Sequence, residues 1–87
     1  MKNDTAAHRF ELEENGLVTF ANYQLDAKTL YIKHVEAPAE ARGTGSAGRL
    51  MQQVAEHAKE NDYKIVPICG YAATWLKRHA EYSGLVA

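Results

Sequence analysis

Cysteine, proline and an excess of either charge are what this 87-residue sequence has least of. Its one cysteine, Cys69, excludes an internal disulfide and any zinc site built from several cysteines. His8 and His57 have no partners at metal-ligand spacing, so no metal is expected. Ten Lys and Arg residues against eleven Asp and Glu leave a formal charge of −1. That balance gives nucleic acid and anionic membranes no electrostatic hold on the chain, so any anion site must be local. No stretch reaches the roughly 18 apolar residues of a membrane span, and the opening lacks the apolar run of a secretory signal. With the lone cysteine, this leads to the expectation of a cytoplasmic protein. Repeats and low-complexity linkers are also missing. At this length the chain can bury only one core, so a single domain over residues 1–87 is expected.

What is present is a hydrophobic fraction of 46% with 24% charged residues, the mix of a globular chain rather than a disordered tail. Residues 1–7 are polar or small and are expected to fray. From His8 the pattern alternates, with Phe10 and Leu12 on one side and Arg9, Glu11 and Glu13 on the other, as in a half-buried strand. Asn15-Gly16 is a hairpin turn signal, because both residues tolerate positive φ. A second strand is predicted over residues 17–25 and, after Asp26-Ala27-Lys28, a third over residues 29–36. In the third, period-two geometry puts Leu30, Ile32 and His34 on one face and Tyr31, Lys33 and Val35 on the other.

Pro38 ends that strand, and a short loop leads into the clearest helix. Ala47, Leu50, Met51, Val54, Ala55 and Ala58 recur at spacings of three and four, which makes one apolar stripe. Asn61-Asp62 stops the helix, and residues 63–69 read as a fourth strand. Strand, crossover helix and strand imply a parallel pair joined in the right-handed sense. Pro67 sits inside the last strand and cannot donate to a ladder, so that strand is expected at an edge or splayed from its neighbour near Pro67. A short helix is predicted over residues 72–80, with Trp75 as a core anchor and with His79 and Tyr82 packing beside it. The last residues, 81–87, give no readable pattern. The fold class is α/β (α+β), an antiparallel three-strand meander followed by a parallel strand-helix-strand unit with a splayed pair and a C-terminal helix.

Between strand and helix lies Arg42-Gly43-Thr44-Gly45-Ser46-Ala47. A helix start offers unpaired N–H groups and a partial positive charge, which attract phosphate. Glycines at 43 and 45 allow close approach and positive φ, Arg42 adds a fork of donors, and Ser46 can add a hydroxyl. The plain alternatives are a simple turn before a helix and an Arg42 paired with Glu40. A P-loop is excluded, because Ala47-Gly48 stand where Lys and Ser or Thr are needed. The letters from Gly43 to Gly48 match a dinucleotide fingerprint, but antiparallel strands precede them and no acid stands at the end of a following strand.

These residues resemble the pyrophosphate loop of the GNAT N-acetyltransferase superfamily: Arg or Gln, two residues, Gly, one residue, then Gly or Ala. The wider run from His34 to Met51, with Val66 to Ala72 and the ending His79-Ala80-Glu81-Tyr82, is similar to the compact single-domain GNAT-like subfamily. The resemblance implies that acetyl-CoA binds with its pyrophosphate at Arg42, Gly43, Thr44, Gly45, Ser46 and Ala47. It implies that backbone groups of Val35, Glu36 and Ala37 hold the pantetheine arm in the gap between splayed strands. Cys69 maps onto the subfamily's candidate active cysteine near the thioester, and Tyr71 onto a tyrosine that protonates the departing thiolate. Ala80 and Gly70 depart from the subfamily, which carries a proline and commonly a polar residue there.

Each catalytic candidate also has a structural reading. Cys69 in an apolar strand is commonly a small buried hydrophobe. His34 is either a satisfied structural residue or a base, with a reference pKa of roughly 6.5. Glu36, two residues on and on the same face, can orient it. The function expected is acetyl transfer from acetyl-CoA to an amine on a small molecule or a protein; the alternative is a CoA-binding module with little or no catalysis. With so few elements after the loop, the acceptor side must be shallow or completed by another subunit, and a monomer or weak dimer is expected.

Overall fold

The computed structural model describes residues 1–87. Four antiparallel strands follow one another, β1 (Lys2–Asp4), β2 (Arg9–Glu14), β3 (Leu17–Asp26) and β4 (Thr29–Glu36). A 3-10 turn at Ala39–Ala41 leads to helix α1 (Ser46–Glu60), which crosses over to β5 (Lys64–Pro67), parallel to β4 at the sheet edge. Helix α2 (Gly70–Arg78) and a 3-10 segment, Ala80–Leu85, complete the chain. The Asn15-Gly16 turn has φ of 53° and 76°, as a tight hairpin with right-handed strand twist requires.

The meander has one strand more than the sequence suggests. Lys2–Asp4 pairs with Glu11–Arg9 instead of fraying. The free edge of β2 supplies the ladder, and the polar side chains supply the rest. Tyr23 donates to Asn3 Oδ1 at 2.8 Å, and the Ala7 N–H donates to Asp4 Oδ1 at 3.1 Å. No apolar alternation marks this segment, because its stabilisation is in hydrogen bonds. At the other end, the tail forms a 3-10 segment and then returns along β5, with Val86 bridging Ile65 and the Ala87 N–H donating to Ile65 O at 2.9 Å. Strand β5 is shorter than expected and α2 begins two residues earlier.

One core lies on one face of the sheet. Phe10, Leu12, Ala21, Tyr23, Leu30, Ile32 and Ile65 pack against the α1 stripe and against Ala72, Trp75 and Leu76 of α2. The stripe is the one read from the periodicity, except that Ser46 is buried and Ala47 is only half-buried at the helix mouth. Trp75 stacks on His79 at 3.8 Å and on Tyr82 at 5.7 Å. The Tyr82 hydroxyl donates to Glu56, and that carboxylate is the main cause that pushes its pKa up to about 12. The opposite sheet face, with Arg9, Glu11, Phe20 and Asn22, carries no helix. No helix is long and apolar enough to cross a membrane.

Two irregularities shape the far end of β4. Tyr23 pairs with Ile32 but Asn22 pairs with His34, so Lys33 is an extra residue in a β-bulge. The bulge reverses the alternation. Val35, opposite Ala21, returns to the core face, while His34 and Glu36 stand on the open face opposite Asn22 and Phe20. The expectation that His34 shares a face with Leu30 and Ile32 is therefore corrected. Period-two counting cannot register an inserted residue. Pairing with β5 stops at Ile32 and Pro67, after which the Ile68 and Cys69 N–H groups converge on Ile32 O at 3.0 and 3.1 Å. From His34 onward β4 has no partner on that side, as expected from a proline in its neighbour.

Leu50 is fully buried in this core, so Leu50→Ala is expected to cost about 2–5 kcal/mol in urea unfolding. Val18→Ala, on the open face, should stay within about 0.5 kcal/mol.

Candidate functional site

The loop between the 3-10 turn and α1 takes its shape from two glycines. Gly43 and Gly45 have φ of 83° and 87°, a region costly for any residue with a Cβ. Gly45 is the N-cap of α1, with no side-chain cap and no acid in the first turn. The N–H groups of Gly43, Gly45, Ala47 and Gly48 donate to no protein acceptor, and that of Ser46 reaches only Thr44 Oγ1, at 3.4 Å. Uncommitted donors around a helix start form a concave positive end suited to an anion. The arrangement fits a pyrophosphate through its backbone.

Three side chains that could compete for that role do other work. Ser46 points inward, its Oγ sharing a 3.0 Å hydrogen bond with Thr19 Oγ1 in the core, so the expected hydroxyl contact to an anion is replaced by its N–H alone. Thr44 Oγ1 donates to Ala41 O. Arg49 donates through Nε and Nη2 to the two carboxylate oxygens of Glu14, both at 2.8 Å, and through Nη1 to Thr44 O at 3.0 Å. This clamp ties the loop to the end of β2 across 35 residues of sequence. The Arg49 guanidinium holds the Glu14 carboxyl below its ordinary value, and Glu14 in turn raises that of Arg49. Arg42 forms no pair with Glu40; its Nε donates to Ala37 O at 3.4 Å and its head is exposed.

A cleft of about 320 Å³ opens along this loop, lined by Ala37, Ala41, residues Arg42 to Gly48 apart from Thr44, and Tyr71 from the first turn of α2. Gly48 faces α2: a Cβ there would lie 3.5 Å from Trp75 Nε1 and 3.8 Å from the Tyr71 hydroxyl, in ordinary contact. Burial, and then the charge of Cys69 close by, raises the Tyr71 pKa above its ordinary value. Its hydroxyl therefore stays protonated across the neutral range. Cys69 is the N-cap of α2, half-buried, with its N–H on Ile32 O.

His34 and Glu36 form a pair of their own. His34 Nε2 and Glu36 Oε1 lie 3.1 Å apart, each side chain slightly more than half exposed. The structure thus gathers the sequence candidates into two groups. Ala37, Arg42, Gly43, Gly45, Ser46, Ala47 and Tyr71 line one cleft, with Thr44 in the same loop and Cys69 beside Tyr71. His34 and Glu36 stand beyond the splay on the open sheet face, and Val35 between them packs toward the core. Glu14, Arg49 and Gly48 are site-shaping residues that sequence reasoning missed. Only the position of Arg49 in the first turn of the helix hinted at a role for it.

A sequence profile described as GCN5-related N-acetyl-transferase matches residues 9–85. The NMR solution structure of a "GCN5-like putative N-acetyltransferase" from Staphylococcus aureus superposes with a TM-score of 0.70 at 25% identity, over 100% of this chain and 91% of that one. No curated protein sequence matches significantly.

Because folding lowers the Glu14 pKa, the clamp contributes fully above about pH 4.5 and is lost as pH falls through the lowered value. Protection of the paired Thr44 and Arg49 amides, taken relative to their intrinsic exchange rates, should fall in that acid range, and Glu14→Gln should show the lower protection already at pH 7. Ser46→Ala should cost about 1–3 kcal/mol in stability by stranding the Thr19 hydroxyl.

Proposed function

The chain belongs to the GCN5-related N-acetyl-transferase family, and from that premise we propose that it transfers acetyl from acetyl-CoA to an amine within one domain spanning residues 1–87. The observation that carries this reading is the ending of the β4–β5 ladder at Ile32 and Pro67, next to a loop whose N–H groups are uncommitted. Arg42 and the backbone of Gly43 to Ala47 would hold the pyrophosphate. The edge of β4 at Val35 and Glu36, with Ala37 just past its end, would hold the pantetheine arm, since the ladder to β5 has already ended.

Acetyl-CoA supplies an activated thioester, at which the new N–C bond forms as the C–S bond breaks. In the tautomer that carries its hydrogen on Nε2, His34 donates a hydrogen bond to Glu36 Oε1, and its Nδ1 lone pair would take a proton from the attacking amine. Tyr71, protonated at neutral pH as an ordinary phenol is, donates its hydroxyl proton toward the departing sulfur. Cys69, the N-cap of α2, lies beside Tyr71, and direct attack by the amine requires no acyl-cysteine at that position.

A second reading, a CoA-binding module without turnover, is favoured by the exposure of His34 and Glu36, which no wall screens from water. Two experiments separate these readings. Titration of the labelled protein with acetyl-CoA should shift the backbone amides of residues 35–37, 42–47 and 69. Gly45→Glu should abolish those shifts, because it adds a charged side chain at φ 87° where a Cβ already lies 2.9 Å from Arg49 Nη1. Unchanged affinity in that variant would refute the site. In an acetylation assay over a panel of amines, His34→Ala should lower kcat by about 100-fold, the scale of a lost general base, and Cys69→Ala by far less. Binding with no turnover above the uncatalysed rate would establish the module instead.

A further inference from the structure

The sheet face that no helix covers holds a second constellation, apart from the cleft. Phe20 of β3 pairs with Glu11 of β2 on one side and with Glu36 of β4 on the other, so an aromatic ring stands in one row between two carboxylates. The chain's own Arg9 lies over that ring, its guanidinium carbon 3.7 Å from the ring centroid and Nη1 3.8 Å from Glu11 Oε2. The row therefore holds a cation in this structure, supplied by the chain itself.

Arg9 is weakly held there. Its Nε is buried without an acceptor, which counts against the arrangement. A cation over a ring at a partly exposed site is a modest attraction, and the contact to Glu11 is long for a hydrogen bond. His34 is the next aromatic neighbour, its ring 6.4 Å from that of Phe20. Lys2, Arg9 and Lys33, which lines a surface pocket with His34, face Asp4, Glu11, Glu13 and Glu36 across this surface, and once Arg9 is displaced the carboxylates are in excess beside the incoming cation.

Resting on the acetyl-transfer reading, we infer that this row selects the acceptor and that the acceptor is an amine carrying a second cationic group. The second cation replaces Arg9 over Phe20, between Glu11 and Glu36, while the reacting amine meets His34. Strand spacing sets the reach: Phe20 is about 5 Å and Glu11 about 10 Å across the sheet from the strand bearing His34 and Glu36. An alkyl polyamine and a peptide with neighbouring Lys and Arg share this chemistry. A monoamine lacks it.

The test begins without cofactor. Labelled protein is titrated with spermidine and, separately, with butylamine while backbone amides are followed. Saturable shifts at Glu11, Phe20 and Glu36 with spermidine, weakened by added salt and absent or much weaker with butylamine, are expected. Glu11→Gln and Phe20→Leu should each weaken spermidine binding by about threefold, and Arg9→Ala should tighten it. No shifts on this face at millimolar spermidine, or an equal response to butylamine, would overturn the inference.

Kinetics with acetyl-CoA then compare spermidine, a blocked Lys-Arg dipeptide and butylamine. Higher kcat/KM for the dicationic acceptors is expected, reduced in Glu11→Gln through the acceptor KM alone with the acetyl-CoA KM unchanged. The better of the two dicationic acceptors identifies the source of the amine. Spermidine shifts without turnover on any amine would sink the acetyl-transfer reading and leave the cation site standing. Turnover that ignores the second charge, or selectivity intact in Glu11→Gln, would sink this inference and leave the enzyme.

Discussion

The end of the β4–β5 ladder is the constraint on which the rest of the architecture depends. A proline at position 67 has no N–H to give, and the next two N–H groups both turn back to Ile32 O. Parallel pairing stops there and α2 starts three residues later. Past that point β4 keeps its bonds to β3 but offers its other edge to whatever enters the gap. The bulge at Lys33 falls at the same place, so the strand opens and reverses its facing together. One bulged residue in β4 and one proline in β5 thereby set both the gap and the side on which His34 and Glu36 appear.

Most of the fold is legible in the sequence because most of it is periodic. Phe10 and Leu12 alternate with charges, the α1 stripe repeats at three and four, and Asn15-Gly16 and Pro67 are local signals that need no tertiary context. What escapes reading is held by something other than periodicity. β1 is joined by Asn3 and Asp4 hydrogen bonds on polar side chains. The tail is held by the bridge to Ile65, by Lys64 Nζ donating to Gly84 O, and by Tyr82 packed on Trp75. Period-two counting puts His34 on the wrong face because the inserted residue is recognisable only from its partner strand, where Asn22 and Tyr23 skip across it.

The site divides along the same line. The glycines at 43 and 45 are readable, since a chemical need for positive φ is written in the residue itself. The clamp from Arg49 to Glu14 is not, since it joins residues 35 apart and either could be an ordinary surface charge. The inward turn of Ser46 is hidden for a related reason: a serine at a helix start looks the same whether it faces an anion or a core threonine. Sequence can thus indicate where backbone must be free, but only packing decides which side chains remain available.

That distinction explains how the loop stays open. A ring of unpaired N–H groups is unfavourable unless water or a ligand satisfies it, and a flexible loop would fold back to pair them internally. Here each neighbouring side chain restrains the backbone without consuming those donors. Thr44 bonds the preceding turn, Ser46 bonds Thr19, and Arg49 takes the Thr44 carbonyl while Glu14 satisfies its remaining charge. Carbonyls and hydroxyls are used up in the restraint, and amides are left. The loop is therefore preorganised for an anion by contacts that an anion never touches. Preorganisation of this kind lowers the ordering cost of binding rather than adding contacts, so a cleft with few charged side chains is still fitted to an anion.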